Sequence, residues 1–207
     1  MEAMLTPAVG GGKATTILEA AGELFAQQGF DGVSINAVAQ HAGVSKANVF
    51  HHFGSKDELY YAVLRNARSR LLGRLQDLAG SDSPLPLRLK EIVEAYLSNL
   101  FDNPRLARVL LRESMEHRPG RSKALAEKVF GDGFSQLVKL LVEAKQSGEI
   151  RQGVDPAAAV VMLVAGCVFF FQGQQMLRHY PEVDFADAPE QYLPHLVDIL
   201  LNGIIAK

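Results

Sequence analysis

The stretch from Ser34 to Leu59, S-I-N-A-V-A-Q-H-A-G-V-S-K-A-N-V-F-H-H-F-G-S-K-D-E-L, leaves the backbone few choices. Ser34 stands where its side-chain oxygen can accept an N–H that the first turn of a helix leaves unpaired. Ile35, Val38 and Ala39 then fall at i, i+3 and i+4, which predicts one buried face. At Ala42-Gly43-Val44 the glycine supplies a residue free to take positive φ where the chain reverses, and Val44 is an apolar plug between two helices. Ser45 caps a second short helix whose exposed face carries Lys46, Ala47, Asn48 and His51, while Val49 and Phe53 turn inward. Ser55 and Glu58 read as a capping box for a third helix, with serine at N-cap and glutamate at N3. Two short helices around a glycine turn, followed by a capped third, predict a helix-turn-helix and hence a DNA reader.

Helical periodicity continues on both sides. Upstream, Ile17, Ala21, Leu24, Phe25 and Gln28 repeat at three and four, a helix from Lys13 that Gly29 should end, with Phe30 as a further plug. A head of about 45 residues is too small to be very stable alone unless it packs on something. The next helix, Lys56 to Leu78, gives it a partner: Leu59, Val63, Ala67, Leu71, Leu75 and Leu78 keep helical spacing and join the head rigidly to the rest of the chain. Ala79-Gly80-Ser81-Asp82-Ser83-Pro84 is a small, polar linker. Beyond it, Ser83-Pro84, Asn103-Pro104 and Asp155-Pro156 each place a capping residue before a proline suited to the first helical turn. The expected helices are 84–101, 104–117, 121–147, 155–179 and 189–205, with a loop over 180–188. The chain therefore reads as all-α: a loose tail over 1–12, a three-helix head over 13–56, a connecting helix over 57–80 and a larger helical domain over 81–207.

Ala157 to Phe171 is a run of fifteen apolar residues. A membrane span needs about twenty, and Gln172, Gln174 and Gln175 follow at once, so no membrane is expected. A helix apolar on all sides must instead face its own core and something beyond it. Ala159, Gly166 and Gly173 recur every seven residues, a row of small side chains that another helix could approach closely. Leu193, Leu196, Val197, Leu200, Leu201 and Ile204 form a second stripe too apolar for water. Together, helices 155–179 and 189–205 predict a homodimer built as a four-helix bundle across a two-fold axis.

Charge qualifies the DNA reading. Net charge is −2, and residues 1–56 hold Lys13, Lys46 and Lys56 against Glu2, Glu19, Glu23 and Asp31. Helix N-termini, serine hydroxyls and histidines must therefore share the work of holding phosphates, and a dimer doubles each contact. The single cysteine, Cys167, excludes an internal disulfide and suits a reducing cytoplasm. Residues 1–13 show no basic run followed by an apolar one, so no secretory signal is expected. Gly10-Gly11-Gly12-Lys13-Ala14 resembles the end of a phosphate loop, but Pro7 occupies the first glycine and Ala14 the Ser/Thr. Adjacent His51 and His52 point about 100° apart on a helix and are poorly placed to chelate one ion. No enzyme, metal or cofactor motif is found, so catalysis is not expected.

Three pieces in order, I-L-x-A-A-x-x-L-F-x-x-x-G-F from Ile17, A-G-V-S from Ala42 and H-H-F-x-S-K-x-x-L from His51, resemble the TetR family of transcriptional regulators. The resemblance spans Ile17 to Leu64 at motif level. It implies a repressor whose heads bind a roughly palindromic double-stranded DNA operator and release it when a small molecule enters the larger domain. It also places Lys46, Ala47 and Asn48 against base edges, where lysine can donate to guanine, asparagine can pair with adenine and a methyl can touch thymine. Ser34, Ser45, His51, His52 and Lys56 fall at its backbone-contact positions. A cation in the first turn opposes the helix dipole, so Lys56 gains from a phosphate there. Where the family has tyrosine this chain has Phe50, which reads as a core plug.

The effector site is less defined. Helices 84–117 and 155–179 can enclose a cavity, with Tyr96, Phe101, Arg112, Glu113, Glu116, Cys167, Phe169, Phe170, Gln172 and Gln175 as candidate lining. The effector expected there is mainly apolar or aromatic and polar at one end, with Arg112 placed to pair a carboxylate, or Glu113 or Glu116 an amine. The competing reading is a dimeric DNA-binding scaffold with a filled core and no effector.

Overall fold

The computed structural model describes residues 12–115 and 119–204. Residues 1–11 of the tail expected over 1–12, Glu116, the end of helix 104–117 and residues 205–207 lie outside them. Every regular element among the described residues is helical: α1 Lys13–Gly32, α2 Ile35–His41, α3 Lys46–Phe53, α4 Lys56–Ala79, α5 Leu85–Asp102, α6 Pro104–Met115, α7 Pro119–Leu125, a π-helical turn Ala126–Phe130, α8 Gly131–Gln146, α9 Pro156–Leu177 and α10 Pro189–Ile204.

The serine caps form as read. Ser34, Ser45 and Ser55 accept from the backbone N–H groups of Ala37, Asn48 and Glu58 at 3.1, 3.2 and 3.1 Å. The capping box at Ser55 is only half made: the Ser55 N–H donates to Phe53 O, and the Glu58 carboxylate pairs with Lys128. Gly29 breaks α1 as expected, with φ 72° and ψ 179°, but a further helical turn carries the element on to Gly32. That backbone conformation belongs to glycine, since a Cβ would meet strain there. Gln28, placed on the buried face by its spacing, is exposed. Helix α5 begins one residue later than expected, with Pro84 at the cap and Pro86 in the first turn. Asp155 caps α9 through its Oδ1 on Ala158 N at 2.8 Å.

Two cores form. The first gathers Ile17, Phe25, Val38, Val49, Leu59 and Tyr60 of the head and α4 with Val109 and Leu110 of α6 and Leu125 and Val129 beyond it. The second fills the body between the far half of α4, α5, α8, α9 and α10. Helix α4 runs through both, with Leu59, Val63, Leu71, Leu75 and Leu78 all buried. The run expected as one helix over 121–147 is instead divided by the π turn. At Gly131 a Cβ would stand 2.9 Å from Ala126 O, the carbonyl five residues back, so this glycine is what lets the turn widen there.

By length and composition α9 is apolar enough to cross a membrane. Its buried residues Ala159, Val160, Leu163, Cys167, Phe170 and Phe171 are instead the centre of the body's core. One member of the small-residue row, Gly166, is explained within the chain. A Cβ on Gly166 would lie 2.7 Å from Leu196 Cδ1, and the Tyr192 hydroxyl donates to Gly166 O at 3.1 Å, so the close approach is to α10 of the same chain. A different face of α9 is left open, with Met162, Phe169 and Met176 at heptad spacing and 65%, 63% and 50% exposed; on α10, Ile199 is 71% exposed.

Candidate functional site

In the head, α3 is pinned by one residue and free on the rest. Val49 is buried, whereas Ser45, Lys46, Ala47, His51 and His52 are exposed and Asn48 is half-buried. One polar face therefore points away from the core, and exposed Ser34 stands at the neighbouring start of α2. Phe50 does not plug the core: it is 42% exposed, with the Lys46 ammonium 5.9 Å from its ring centre. The reason is angular. Phe50 is about 100° around the helix from Val49 and one turn from Lys46, which puts it on the polar face. Lys56 is half-buried, its ammonium 4.3 Å from the Phe30 ring centre. The His51 and His52 rings stand edge to face, 5.3 Å apart, and no group of three metal-ligating side chains occurs among the described residues.

The head meets the body at Arg121 of α7. Its guanidinium carbon lies 3.8 Å from the Phe30 ring centre, Nη1 lies 3.2 Å from Glu113 Oε2, and Nη2 lies 3.5 Å from Asp57 Oδ1. Burial works against this charge, but the Glu113 carboxylate more than restores it by attraction and hydrogen bonding, so the pKa is raised. Glu113 is only 4% exposed and has its counter-charge in this arginine. Tyr60, whose ring packs edge-on against Phe25 and Phe30, is fully buried; burial first, and then the Glu113 charge, raise the pKa of its phenol.

In the body a cavity of about 770 Å³ lies between α4, α5, the α7–π segment, α8 and α9. Its walls are mainly apolar, including Leu75, Leu111, Leu125, Phe134, Val164 and Phe169. This volume falls in the range of about 300–1,000 Å³ typical of small-molecule sites. Two groups break the apolar lining from within the core. Arg68, 7% exposed, carries its guanidinium 4.5 Å from the Phe130 ring centre, and the Tyr96 phenol lies near enough to perturb it. Burial lowers the pKa of Arg68 and raises that of Tyr96, with each partly countering the other's shift.

Of the residues that the sequence nominates for this site, Tyr96, Phe169 and Gln172 line the cavity. The others sit elsewhere. Phe101 packs edge-on against Phe170 and Phe171, and Phe170 stacks on Tyr192 at 4.1 Å. Cys167 is fully buried in the core, and burial pushes its thiol up to about 12. Arg112 is exposed beside Gly29, Glu113 belongs to Arg121, Gln175 is exposed, and Glu116 is outside the described residues. The far wall comes from α8 and the π turn rather than from α5 and α6 alone. Sequence reasoning missed Arg68 and Arg121. A signal for Arg68 was present, because it stands four residues after Leu64 and three before Leu71, on the buried stripe of α4. Arg121, in a short polar stretch, carries no such mark.

The sequence profile of bacterial regulatory proteins of the tetR family matches residues 17–63, and that of the tetracyclin repressor-like C-terminal domain matches residues 87–199. Among curated relatives, the HTH-type transcriptional regulator RutR of Escherichia coli is 31% identical over 160 residues, covering 74% of this chain and 71% of its own. The nucleoid occlusion factor SlmA of a Marinomonas species is 24% identical over 92% of this chain and 94% of its own. Among solved structures, the transcriptional regulator FadR of Bacillus subtilis in complex with stearoyl-CoA superposes with a TM-score of 0.74 at 20% identity, covering 92% of this chain and 98% of that one. At that identity the likeness shows a shared fold.

Proposed function

We propose that this chain, which belongs to the tetR family of bacterial regulatory proteins and is a DNA-binding transcriptional regulator, is a homodimeric repressor released from a roughly palindromic operator by a small molecule. The observation that carries the DNA half is the free face of α3 opposite Val49. On this reading Lys46, Ala47 and Asn48 address base edges and Ser34, Ser45, His51, His52 and Lys56 address the sugar–phosphate backbone. Phe50 joins them as an apolar contact suited to a thymine methyl or a sugar. The dimer forms through the open face of α9 and α10, where Met162, Phe169, Met176 and Ile199 are too apolar to leave in water. The protein works in the cytoplasm, with its operator, and neither catalysis nor a membrane enters the reading.

The effector half rests on the cavity and on what its walls also touch. Ser122, Leu125 and Ala126 line it, and Leu125 is at the same time part of the head's core. Arg121, the neighbour of Ser122, holds Phe30 and Asp57 of the head and its connecting helix. A ligand that displaces the α7–π segment therefore acts directly on the joint that sets the tilt of the head, and two tilted heads no longer match two half-sites. A scaffold with no effector would have no use for an unfilled volume of this size.

The DNA assignment is tested by paired variants. Asn48→Ala should relax preference at one base position by about 1–3 kcal/mol, whereas Lys56→Ala should weaken all sequences alike and shallow the salt slope by about one per head. Equal losses on specific and random duplexes for both variants would overturn it. For the dimer, Ile199→Asp should sediment as a monomer with weak operator binding, and a monomeric wild type at micromolar concentration ends that part of the reading.

A further inference from the structure

Arginine remains protonated in proteins and is rarely taken out of water without a counter-charge. Arg68 is 7% exposed, and no carboxylate of the described residues pairs with it. Its neighbours are the face of Phe130 and the hydroxyl of Tyr96, and its Nε is buried with no hydrogen-bond partner. Tyr96 cannot supply the missing charge, because burial raises its pKa and keeps the phenol neutral. Both residues line the same apolar cavity. Gly133 leaves room beside the cation: a Cβ there would lie 3.7 Å from Arg68 Nη2 and 3.0 Å from Leu72 Cδ2. The contrast with Arg121 is direct, since that arginine has Glu113 and Asp57.

We propose that Arg68 and Tyr96 form the anion-recognising end of the effector site, and that the effector is a carboxylic acid with an apolar or aromatic body. The carboxylate completes the charge balance that the protein leaves open, and the guanidinium fork and phenol O–H supply donors for its two oxygens. The apolar walls from Leu75 to Phe169 take the body of the ligand. An amine is excluded by repulsion from the guanidinium. An amide or alcohol of the same shape fills the volume but leaves the buried cation unpaired. The inference rests on the effector-gated reading above for the cavity's purpose, but its chemistry is separable from release of DNA.

The experiment uses the full-length protein with two matched pairs of probes, decanoate with decanamide and 2-naphthoate with 2-naphthamide. Binding is measured calorimetrically at pH 7.5, and release is measured on a duplex selected by the wild-type protein from random sequence. At least one acid should bind about 10- to 100-fold more tightly than its amide, the span expected for hydrogen bonds to a charged group. Arg68→Met should bring the acid down to the level of the amide without weakening the amide, and should raise the melting temperature of the ligand-free protein by removing an unpaired buried charge. Should that variant fail to fold, Tyr96→Phe keeps the core shape and should weaken the acid several-fold while sparing the amide. Acid and amide binding alike to wild type, an Arg68→Met protein that keeps the preference, or no binding of either acid at 1 mM each overturn the proposal. If an acid binds with the expected preference but leaves DNA affinity unchanged, the proposal stands and the effector-gated reading falls; if acid and amide both release DNA equally, the reverse holds.

Discussion

The head and the body solve opposite packing problems. In the head, Ile17, Phe25, Val38, Val49, Leu59 and Tyr60 close a small core, and function is left to side chains on the outside of α3. In the body the helices stop short of closing, and function is proposed for the space inside. An exposed face can be changed without touching the fold, whereas a cavity is a property of several helices at once. The joint between them, at Arg121 and the π turn, is where the two become one system.

Three changes would break or sharpen that contrast. The largest effect is expected at the joint. Arg121→Ala removes the counter-charge of buried Glu113, a loss of about 3–5 kcal/mol by denaturant unfolding, whereas Arg121→Met with Glu113→Leu should recover most of it. If Arg121→Ala costs no more than an exposed substitution, the joint is not a fixed contact and the two regions are independent. A middle effect is expected at the π turn. Gly131→Ala brings a methyl to 2.9 Å from Ala126 O and should cost about 1–3 kcal/mol, with a matching change in effector affinity because Ala126, Phe130 and Gly131 line the cavity. Unchanged effector binding in a destabilised variant would separate the turn from the site. The smallest belongs to the body's interior. The Cys167 thiol is held near 12 when folded and ionises near 8.5 when unfolded, so above pH 8.5 the unfolded state releases a proton that the folded state keeps. Stability therefore falls as pH rises, by roughly 1 kcal/mol at pH 9.5, and Cys167→Ala should lose this part of the slope in melts from pH 8 to 10. Parallel slopes would mean that the interior at α9 opens to solvent.

The same contrast decides what could be read from the sequence. Caps and turns are local, so Ser34, Ser45, Ser55, Gly29 and Gly43 are legible one by one, and they fix the head. Phe50 is misread when its residue type is weighed above its angle on α3. In the body, helix positions are legible from proline and periodicity, but the division at Ala126–Phe130 is not, since it depends on a carbonyl five residues from a glycine. Within the small row Ala159, Gly166 and Gly173, Gly166 does mark a place of close approach, yet spacing alone cannot say that α10 of the same chain fills it. Arg68 can be found by asking why a cation interrupts the leucine stripe of α4. Arg121 cannot, because its partners Phe30, Asp57 and Glu113 are brought together only by the fold.

Phe169 belongs to two surfaces at once. It lines the cavity, and it is 63% exposed on the face of α9 through which two copies are proposed to meet. In such a pair the aromatic ring stands between a neighbour's helix and a ligand's body, so its rotamer answers to both. Occupancy of the cavity and association of the chains then share a free-energy cycle, and the midpoint of an inducer titration shifts with protein concentration. A cell that makes more of this protein would change not only how much operator is covered but also how much metabolite is needed to clear it.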